Sequence, residues 1–418
     1  MAERKSVPDI RFAGFGGDWE RRKLGDAFDF LQNNTLSRSE LSLDHGEAKN
    51  VHYGDILVKF GEYLDVSKMP LPFISDRHIV DKFKASLLQD GDVVVADTAE
   101  DEAVGKCVEM AGVQGVPIIS GLHTIPMRPA ESFAAGYLGY YLNSDAYRDQ
   151  LLPLMQGIKV MSISKSAIQD TDVSFPMDVA EQAVIGRYFI QLDGCITSLQ
   201  CKLAALANFK KAMLDKMFPK DGAAVPEIRF NGFSGDWEQR RIEEITVESL
   251  EYTTLSSGLP LLTSSRNGLM YQNEYRGNQT TESAETLFSI VPLGACTYRH
   301  MSDDDVFHLN INTVEKGLVS REYPVFSATE ENDIDFIVQH MNSSASFRAF
   351  CAEQKKGGTR TRLYYRTLCE FKMMVPKLEE QKQISKALLQ LDDLIALHQR
   401  KLDCLRNIKE ACLEKMFV

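Results

Sequence analysis

Basic side chains are concentrated between residues 355 and 366, with glycine and tyrosine residues among them. Lys and Arg can contact phosphates, and Arg can also read guanine in the major groove. The alternative is a solvated basic loop and strand. The net charge of −12 weighs against simple nucleic-acid binding, for which proteins are usually basic at least locally. The basic residues are Lys355, Lys356, Arg360, Arg362 and Arg366.

Motifs of enzyme chemistry are missing from the chain. There is no GxxxxGK[ST] phosphate-binding loop, no HExxH zinc motif and no GxSxG nucleophile motif. The eight cysteines include no CxxC pair, which disfavours a structural zinc site. Four acidic residues could suggest a metal site, but a solvated acidic turn is the favoured interpretation: Asp97, Glu100, Asp101 and Glu102. We therefore predict neither catalytic nor metal-binding residues.

Composition is that of a globular protein. A length of 418 residues favours two or three domains, and the 44% hydrophobic and 25% charged residues are ordinary values. No apolar run approaches the length of a membrane span, and the N-terminus lacks the apolar segment of a signal peptide. Scattered thiols suit a reducing compartment. We expect a cytoplasmic protein.

A long helix is predicted over residues 181–218, and it must position the surrounding blocks. Its apolar residues alternate at spacings of four and three, which is the pattern of a coiled-coil seam. Lys210 interrupts the seam. A narrow apolar stripe of this kind needs a second helix to cover it. The predicted seam includes Ile185, Leu192, Ile196, Leu203 and Leu206.

The second helix lies at residues 380–417. Shifted by 199 positions, it is identical to the first helix at 18 of 38 places, and Lys409 repeats the interruption at Lys210. Because the match includes polar residues, which amphipathic spacing does not require, it indicates duplication. The order of segments predicts that the two helices pack antiparallel. The corresponding seam includes Ile384, Leu391, Ile395, Leu402 and Leu405.

An arm precedes each of two dissimilar blocks. Residues 7–22 and 225–240 are identical at 12 of 16 positions, and they contain both tryptophans, Trp19 and Trp237. The blocks show short apolar strand-like runs, including residues 56–58, and helical stretches near 133–152 and 333–352. The predicted segments are 1–22 (arm), 23–175 (first block), 176–219 (helix), 220–240 (linker and arm), 241–375 (second block) and 376–418 (helix).

These observations predict an α+β fold, with two mixed α/β blocks held apart by two long antiparallel coiled-coil helices and related by a pseudo-two-fold repeat. A constant frame carrying unlike blocks suggests two different recognition tasks. The duplicated VPxIRFxGFxGDWExR arms and EQxxI…QLDxxI…KL…KMF helices resemble the specificity subunit of type I restriction–modification systems, and the resemblance covers essentially the whole chain. Segments within the blocks resemble the same family: YGDILVKF (53–60), GDVVVADTAEDEAVGK (91–106) and TYRHMSDDDVFHLN (297–310).

The resemblance implies a DNA-recognition subunit without catalytic activity. Each block would be a target recognition domain that reads one half of a bipartite, asymmetric double-stranded DNA sequence. The helices would set the gap between half-sites and dock two modification subunits, with restriction subunits added to that core. The complex would be a DNA adenine methyltransferase and ATP-dependent endonuclease. S-adenosylmethionine, ATP and Mg are implied only for the partner subunits, and no cofactor is expected here.

Candidate DNA contacts follow from this resemblance. In the second block they are the cluster at 355–366. Thinner basic patches supply the other candidates, for which support of strands and edge packing are the alternatives. These are Lys159, Lys165, Tyr298, Arg299 and Lys59.

Two other classes of function stay open at this stage. A coiled-coil scaffold whose blocks bind proteins predicts no sequence-selective DNA binding. A divergent DNA methyltransferase or nuclease predicts that the purified chain alone modifies or cuts DNA.

Overall fold

The structure is a computed structural model that describes residues 6–220, 222–276, 285–355 and 359–418. Its contacts divide the chain into two compact units. Unit 1 comprises Met1–Cys201 and Gln399–Val418, and unit 2 comprises Lys202–His398. Both boundaries fall within long helices, so each unit contains the beginning of one long helix and the end of the other. The finer division into six segments stays a prediction.

Unit 1 is a mixed α/β structure with a five-stranded sheet in the order β2-β10-β6-β8-β4 and a three-stranded sheet in the order β5-β3-β9. Two further strand pairs, β1–β12 and β7–β11, flank them. The strands are β1 Glu20–Lys23, β2 Phe28–Phe30, β3 Ala48–Val51, β4 Tyr63–Asp65, β5 Phe73–Ile74, β6 Val93–Ala96, β7 Thr98–Ala99, β8 Cys107–Ala111, β9 Ile118–Ser120, β10 Thr124–Pro129, β11 Met161–Ser162 and β12 Asp172–Phe175. The short helices are α1 Leu24–Ala27, α2 Tyr53–Val58, α3 Arg77–Lys82, α4 Tyr137–Asn143, α5 Asp145–Arg148 and α6 Lys165–Gln169.

Unit 2 has a four-stranded sheet in the order β14-β23-β19-β21 and a three-stranded sheet in the order β15-β18-β22. The pairs β13–β25, β16–β17 and β20–β24 complete it. The strands are β13 Glu238–Arg241, β14 Thr246–Glu248, β15 Tyr252–Thr253, β16 Leu262–Ser265, β17 Gly268–Tyr271, β18 Phe288–Val291, β19 Cys296–Thr297, β20 Met301–Ser302, β21 Asn310–Ile311, β22 Gly317–Ser320, β23 Val325–Ala328, β24 Thr361–Arg362 and β25 Lys372–Val375. The short helices are α8 Ile242–Ile245, α9 Gln272–Arg276, α10 Ile334–Ser343, α11 Ala345–Glu353 and α12 Tyr365–Leu368.

The predicted α+β class is confirmed, but one predicted strand is wrong. Residues 56–58 belong to α2, not to a strand. The ring nitrogen Nδ1 of His52 accepts a hydrogen bond from the backbone N–H of Gly54 at 3.1 Å and caps the helix. Ile56 is buried whereas Val58 is exposed, which suits a helical turn with one apolar side. A three-residue apolar run does not by itself distinguish a strand from a buried helical turn.

The two long helices form as the apolar spacing predicts. The first, α7, spans Val179–Lys216, and the second, α13, spans Leu378–Lys415. All ten predicted seam residues are buried or half-buried, whereas most of their neighbours in the middle of each helix are exposed. The ten residues are Ile185, Leu192, Ile196, Leu203, Leu206, Ile384, Leu391, Ile395, Leu402 and Leu405.

Each unit pairs the two helices in opposite directions. In unit 1, Phe189 near the start of α7 stacks on Phe417, which follows α13, with ring centroids 5.7 Å apart. In unit 2, Leu214 near the end of α7 belongs to the same apolar core as Ile384 near the start of α13. Both pairings are antiparallel, as predicted.

The lysines on the seam form equivalent ion pairs in the two units. Lys409 lies 2.7 Å from Asp193 in unit 1, and its repeat counterpart Lys210 pairs with Asp392 in unit 2. Lys409 also contacts Glu62 of the first block at 2.9 Å. Burial opposes protonation of Lys409, but the two carboxylates outweigh it and raise its pKa. The repeated Asp and Lys residues therefore join the two helices at equivalent positions in both units.

The two arms are attached to the helices by equivalent Arg–Glu pairs. In unit 1, Arg11 donates two hydrogen bonds to Glu181, both at 2.7 Å. In unit 2, Arg229 donates two to Glu380, again both at 2.7 Å. Each glutamate side chain is almost fully buried, at 1% and 2% exposure. A bidentate pair in this setting fixes the orientation of the arm as well as its position.

The glutamine after each of these glutamates connects its helix to a block. Gln182 donates to the carbonyl of Pro176 at 2.8 Å and accepts from the backbone N–H of Ala134 at 3.0 Å. Gln381 donates to the carbonyl of Pro376 at 2.8 Å and accepts from the N–H of Asp333 at 2.9 Å. The Glu-Gln dipeptide that recurs in both helices therefore fixes an arm with one residue and a block with the next.

Aromatic residues after each long helix complete the frame. In unit 1, Phe417 packs edge-on against Trp19 of the arm, with ring centroids 6.4 Å apart. In unit 2, Phe218 packs edge-on against Trp237, also at 6.4 Å. The end of α13 therefore closes the unit that contains the first arm, and the end of α7 closes the unit that contains the second.

A further repeat within the blocks is not apparent from the sequence. Asn143 uses its side-chain amide to bond both the N–H and the carbonyl of Cys107, at 3.1 and 2.8 Å. Asn342 does the same to Leu309, at 3.0 and 2.9 Å. The two asparagines are 199 residues apart, the offset of the long helices. The blocks thus share a backbone plan despite their dissimilar sequences.

Candidate nucleic-acid interface

The basic cluster of the second block contacts an acidic turn that is formed by residues 303–305. Arg360 Nε lies 2.7 Å from Asp303, and Lys355 Nζ lies 3.5 Å from Asp305. Thr361, next to Arg360, also donates to Asp305. The side chains of the two ion pairs are partly or largely exposed, so the pairs are individually weak and a phosphate can compete for the cations.

The rest of the cluster lies on β24 and α12. Arg362 is exposed on β24, which pairs with β20 so that Arg362 faces Met301. Arg366 is exposed on α12. Tyr364, between them, stacks on the ring of His300 at 5.4 Å. Lys356, also predicted here, lies outside the described residues.

Tyr298, predicted to contact DNA, lies in the core of the second block. Its side chain is fully buried, at 0% exposure, and its ring packs against Phe307 and Phe326. Burial raises the pKa of its hydroxyl well above the ordinary value. It is therefore a core residue and is not available for DNA. The next residue, Arg299, is exposed.

Candidate residues of the first block are dispersed. Lys59 pairs with Asp55 at 2.9 Å, and Arg38 contacts the same carboxylate. Burial opposes ionisation of Asp55, but the hydrogen bonds from Lys59 and Arg38 outweigh it and lower the pKa. Lys159 is exposed in the loop that follows Gly157. Lys165 begins α6 and places its ammonium 4.8 Å above the ring of Phe30, a cation–π contact.

A groove in unit 2 contains polar residues that the sequence analysis did not single out. Its volume is about 340 Å³, and it lies between the β16–β17 hairpin and the acidic turn. Arg299 lies on it, together with the hairpin residues Arg266 and Asn267 and with His308. The two hairpin residues are separated from the basic cluster by about 90 positions, so their proximity depends on the fold.

Two buried titratable groups lie away from these surfaces. Glu109 in unit 1 accepts hydrogen bonds from the backbone N–H groups of Gly136 at 2.6 Å and Gly139 at 2.9 Å. Burial raises its pKa to about 7, although those hydrogen bonds oppose the shift. His340 in unit 2 packs against Phe218, and burial lowers its pKa to about 4. Glu109 belongs to the packing within the first block, and His340 to the packing of the second block against the end of α7.

Within the described ranges, no group of three or more His, Cys, Asp or Glu side chains is arranged to hold a metal ion. The acidic residues predicted to form a turn, 97–102, lie around β7, where Asp97 Oδ1 is 3.3 Å from the ring of His123. No helix in the described part of the chain is long and apolar enough to cross a membrane.

Comparison with known proteins shows which family of proteins the chain resembles. Residues 314–407, which extend from the second block into α13, match the family model of the type I restriction modification DNA specificity domain. The resemblance predicted from the arms and helices is confirmed, and the chain is similar to specificity subunits of type I restriction–modification systems.

Individual proteins match most of the chain. A putative type I restriction enzyme specificity subunit (MjaX) from Methanocaldococcus jannaschii is 21% identical over 94% of this chain and 91% of that protein. The crystal structure of the S subunit from M. genitalium superposes with a TM-score of 0.62 at 11% identity, covering 99% of both chains. This likeness supports the fold. The HsdS subunit from Thermoanaerobacter tengcongensis has a TM-score of 0.41 at 14% identity over 96% of both chains.

Proposed function

We propose that this chain is the sequence-specific DNA-recognition subunit of a type I restriction–modification complex. The observation that carries the proposal is the match of residues 314–407 to the DNA specificity domain. The repeated frame supports it, since equivalent Arg–Glu, Gln and Trp–Phe contacts hold two different blocks. Two blocks in one frame suit a target with two unlike halves.

Each block reads one half-site of a bipartite, asymmetric sequence, and the two long helices set the gap. The exposed outer faces of α7 and α13 dock two modification subunits, to which restriction subunits add. The chain supplies no catalytic residue. S-adenosylmethionine, ATP and Mg belong to the partner subunits, where they support methylation and cleavage. Such a protein functions in the cytoplasm, where these partners and DNA meet.

The DNA surface of the second block includes Lys355, Arg360, Arg362, Arg366 and Arg299. Three of these, Arg299, Arg362 and Arg366, are exposed and make no side-chain ion pair with any described residue. In the first block Lys159 and Lys165 are the corresponding candidates, and Lys59 is a weaker one because Asp55 already holds it. Local basic surfaces of this kind answer the objection from the net charge of −12, because the modification subunits supply further phosphate contacts.

The decisive experiment maps methylated bases in a host that expresses the modification subunits, with and without this gene. We expect a gapped, two-part methylation motif that disappears when the gene is deleted. An unchanged methylome would contradict the proposal. Methylation or cleavage by the purified chain alone would instead support an enzyme.

A second experiment tests the assignment of one half-site to each block. Residues 23–175 are replaced by the corresponding block of another specificity subunit, with the arms and helices unchanged. We expect one half of the motif to change while the other half and the gap are retained. The matched control replaces residues 241–375 and should change the opposite half. A change of both halves in either chimera would rule out modular recognition.

A further inference from the structure

The β16–β17 hairpin of unit 2 ends in two polar residues that face the groove described above. Ser265 pairs with Gly268 in the strand register, so Arg266 and Asn267 alone form the connection. Both side chains are exposed. Arg commonly makes bidentate hydrogen bonds to guanine, and Asn to adenine, in the major groove.

The hairpin tip is held firmly from below. Ser265 Oγ donates to the carbonyl of Gly268 at 2.9 Å and accepts from the N–H of Asn267 at 3.0 Å. Asn310 of β21 donates to Ser264 Oγ at 2.7 Å and to the Ser265 carbonyl at 2.9 Å. These bonds connect the tip to the four-stranded sheet. A contact that discriminates between bases needs this kind of support, because loosely held side chains adapt to more than one partner.

Arg266 has a second support across the groove. Its Nη2 donates to the carboxylate of Asp304 at 2.6 Å, and Ser302 Oγ donates to the other oxygen of that carboxylate at 2.7 Å. The Ser302 hydroxyl lowers the pKa of Asp304, so the carboxylate is charged near neutral pH. Only one guanidinium nitrogen is used by this contact, and the others remain available to a base. The arrangement orients the guanidinium without occupying it.

Arg299 lines the same groove. It is exposed, and it forms no ion pair with any residue that the structure describes. It lies two residues before Met301, which pairs with Arg362 on the neighbouring strand. Arg299 lies outside β20, and both Arg299 and Met301 line the groove. The groove is thus lined by the cationic side chains of Arg299 and, at the hairpin tip, of Arg266.

We propose that Arg266 and Asn267, together with Arg299, read base edges of the half-site recognised by the second block, and that Asp304 is the positioning residue for Arg266. This inference rests on the proposed function and assigns base contacts within it. The acidic turn has a second effect in this scheme. Its negative charge repels phosphates, so that a DNA backbone is not bound tightly unless the matching bases are present.

The experiment expresses the full chain with its modification subunits and maps methylated bases for R266A, N267A and R299A variants. The control is R348A, which removes an exposed positive charge from α11 of the same unit away from the groove. We expect each groove variant to relax one or two positions of one half-site, with the other half-site and the gap unchanged. R348A should keep the wild-type motif.

The possible outcomes distinguish failure of the base-contact inference from failure of the proposed function. Unchanged motifs in R266A and N267A overturn the inference, while a gapped motif that depends on the gene leaves the proposed function standing. Absence of such a motif with the wild-type chain overturns the proposed function itself. If R266A abolishes methylation, the R266K variant tests the base contact instead, because lysine keeps the charge but loses the planar bidentate geometry of arginine. R266K should restore methylation with a relaxed motif, and restoration of the full motif would contradict base reading.

The positioning role of Asp304 needs a separate measurement. In competition binding by the assembled complex, D304N should lower the ratio of specific to non-specific DNA affinity by about 10-fold or more, a typical loss for one base contact. Non-specific affinity should rise, because a negative charge is removed near phosphates. If Asp304 only stabilised the fold, the specific and the non-specific DNA affinities would fall together. That result would overturn the assignment of Asp304.

Discussion

Several charged residues that recur in both halves of the chain are structural partners of one another. Arg11 and Arg229 bond the buried carboxylates of Glu181 and Glu380, and neither arginine is a candidate for DNA contact. The DNA candidates are instead non-repeated residues on the blocks. At the scale of single residues, repetition therefore marks the frame, and difference marks the recognition surface.

Glu109 should make the stability of unit 1 depend on pH. Its pKa is about 7 in the folded protein, above the ordinary 4.5, so the folded state keeps a proton that the unfolded state loses between these values. The stabilisation is complete below pH 4.5 and is lost as the pH rises to about 7. The slope is roughly 1.4 kcal/mol per pH unit. Denaturant unfolding at several pH values, followed by Trp19 fluorescence in a Trp237→Phe background, measures it.

Glu109→Gln is the control for this prediction. The amide cannot ionise, so this variant should lack the component of the pH dependence between about 4.5 and 7. His340 in unit 2 should act in the opposite direction, since a pKa of about 4 destabilises the fold as the pH falls below 6.5. Equal slopes for the wild type and Glu109→Gln would refute the role assigned to this carboxyl group.

Removal of an arm–helix pair should destabilise its unit strongly. Arg229→Met leaves the carboxylate of Glu380 buried without a cation, and we expect a loss of about 3 kcal/mol or more in the free energy of unfolding. Arg240→Met is the matched control, because Arg240 pairs with Glu238 at 2.8 Å on the exposed surface. That change should cost less than about 1 kcal/mol. Trp237 fluorescence in a Trp19→Phe background reports the transition. Similar losses in the two variants would contradict the structural role of the arm pair.

At the scale of elements, each long helix uses one stripe for packing and a few polar residues for register. The Lys–Asp pairs lie at equivalent positions, but their surroundings differ. Lys409 is 17% exposed and contacts two carboxylates, whereas Lys210 is 24% exposed and contacts one that is 45% exposed. The ion pairs of Lys409 and Lys210 therefore differ in how much they stabilise the protein, although the two lysines occupy equivalent positions in the repeat.

Lys409→Met should cost more stability than Lys210→Met. The first change leaves Glu62 and Asp193 close together without a cation, and we expect about 2 kcal/mol. The second disrupts one partly exposed pair and should cost about 1 kcal/mol or less. Urea unfolding of the two variants, followed by helical circular dichroism, gives the comparison. The opposite order would show that contact with Glu62 does not stabilise unit 1.

At the scale of the whole molecule, unit 1 is assembled from two distant parts of the chain, whereas unit 2 is one continuous segment. Unit 1 needs the C-terminal end of α13, and unit 2 lies entirely within the chain between residues 202 and 398. The single ring of Phe417 packs against four aromatic rings of unit 1, those of Trp19, Tyr137, Tyr141 and Phe189. The last residues of the protein thus belong to the core that contains the first arm.

Phe417→Ala should therefore destabilise unit 1, although Phe417 lies at the other end of the sequence from the first block. A buried Phe→Ala change costs about 3–5 kcal/mol. Phe218→Ala is the matched change for unit 2, where Phe218 contacts Trp237 and Phe336. Single-tryptophan variants distinguish the two transitions. If Phe417→Ala left the Trp19 transition unchanged, the proposed closure of unit 1 by the C-terminus would be wrong.

Periodicity and duplication predicted the long helices, their seams, their antiparallel order and the α+β class. This was possible because a 3.6-residue repeat and a repeated polar frame are local and linear signals. The same reasoning misassigned residues 56–58 as a strand and Tyr298 as a DNA contact. Short apolar runs are ambiguous, and the burial of a single tyrosine depends on distant parts of the chain.

The sequence alone determined the frame, because several of its repeated residues make the same contact in both units. Only the tertiary structure identified what those contacts are: Arg with Glu, Lys with Asp, and a helix end with an arm. It also brought Arg266 and Asn267 to the groove of Arg299, although about 30 residues separate them in sequence. Such convergence results from strand pairing and turn geometry in three dimensions, and no linear spacing encodes it.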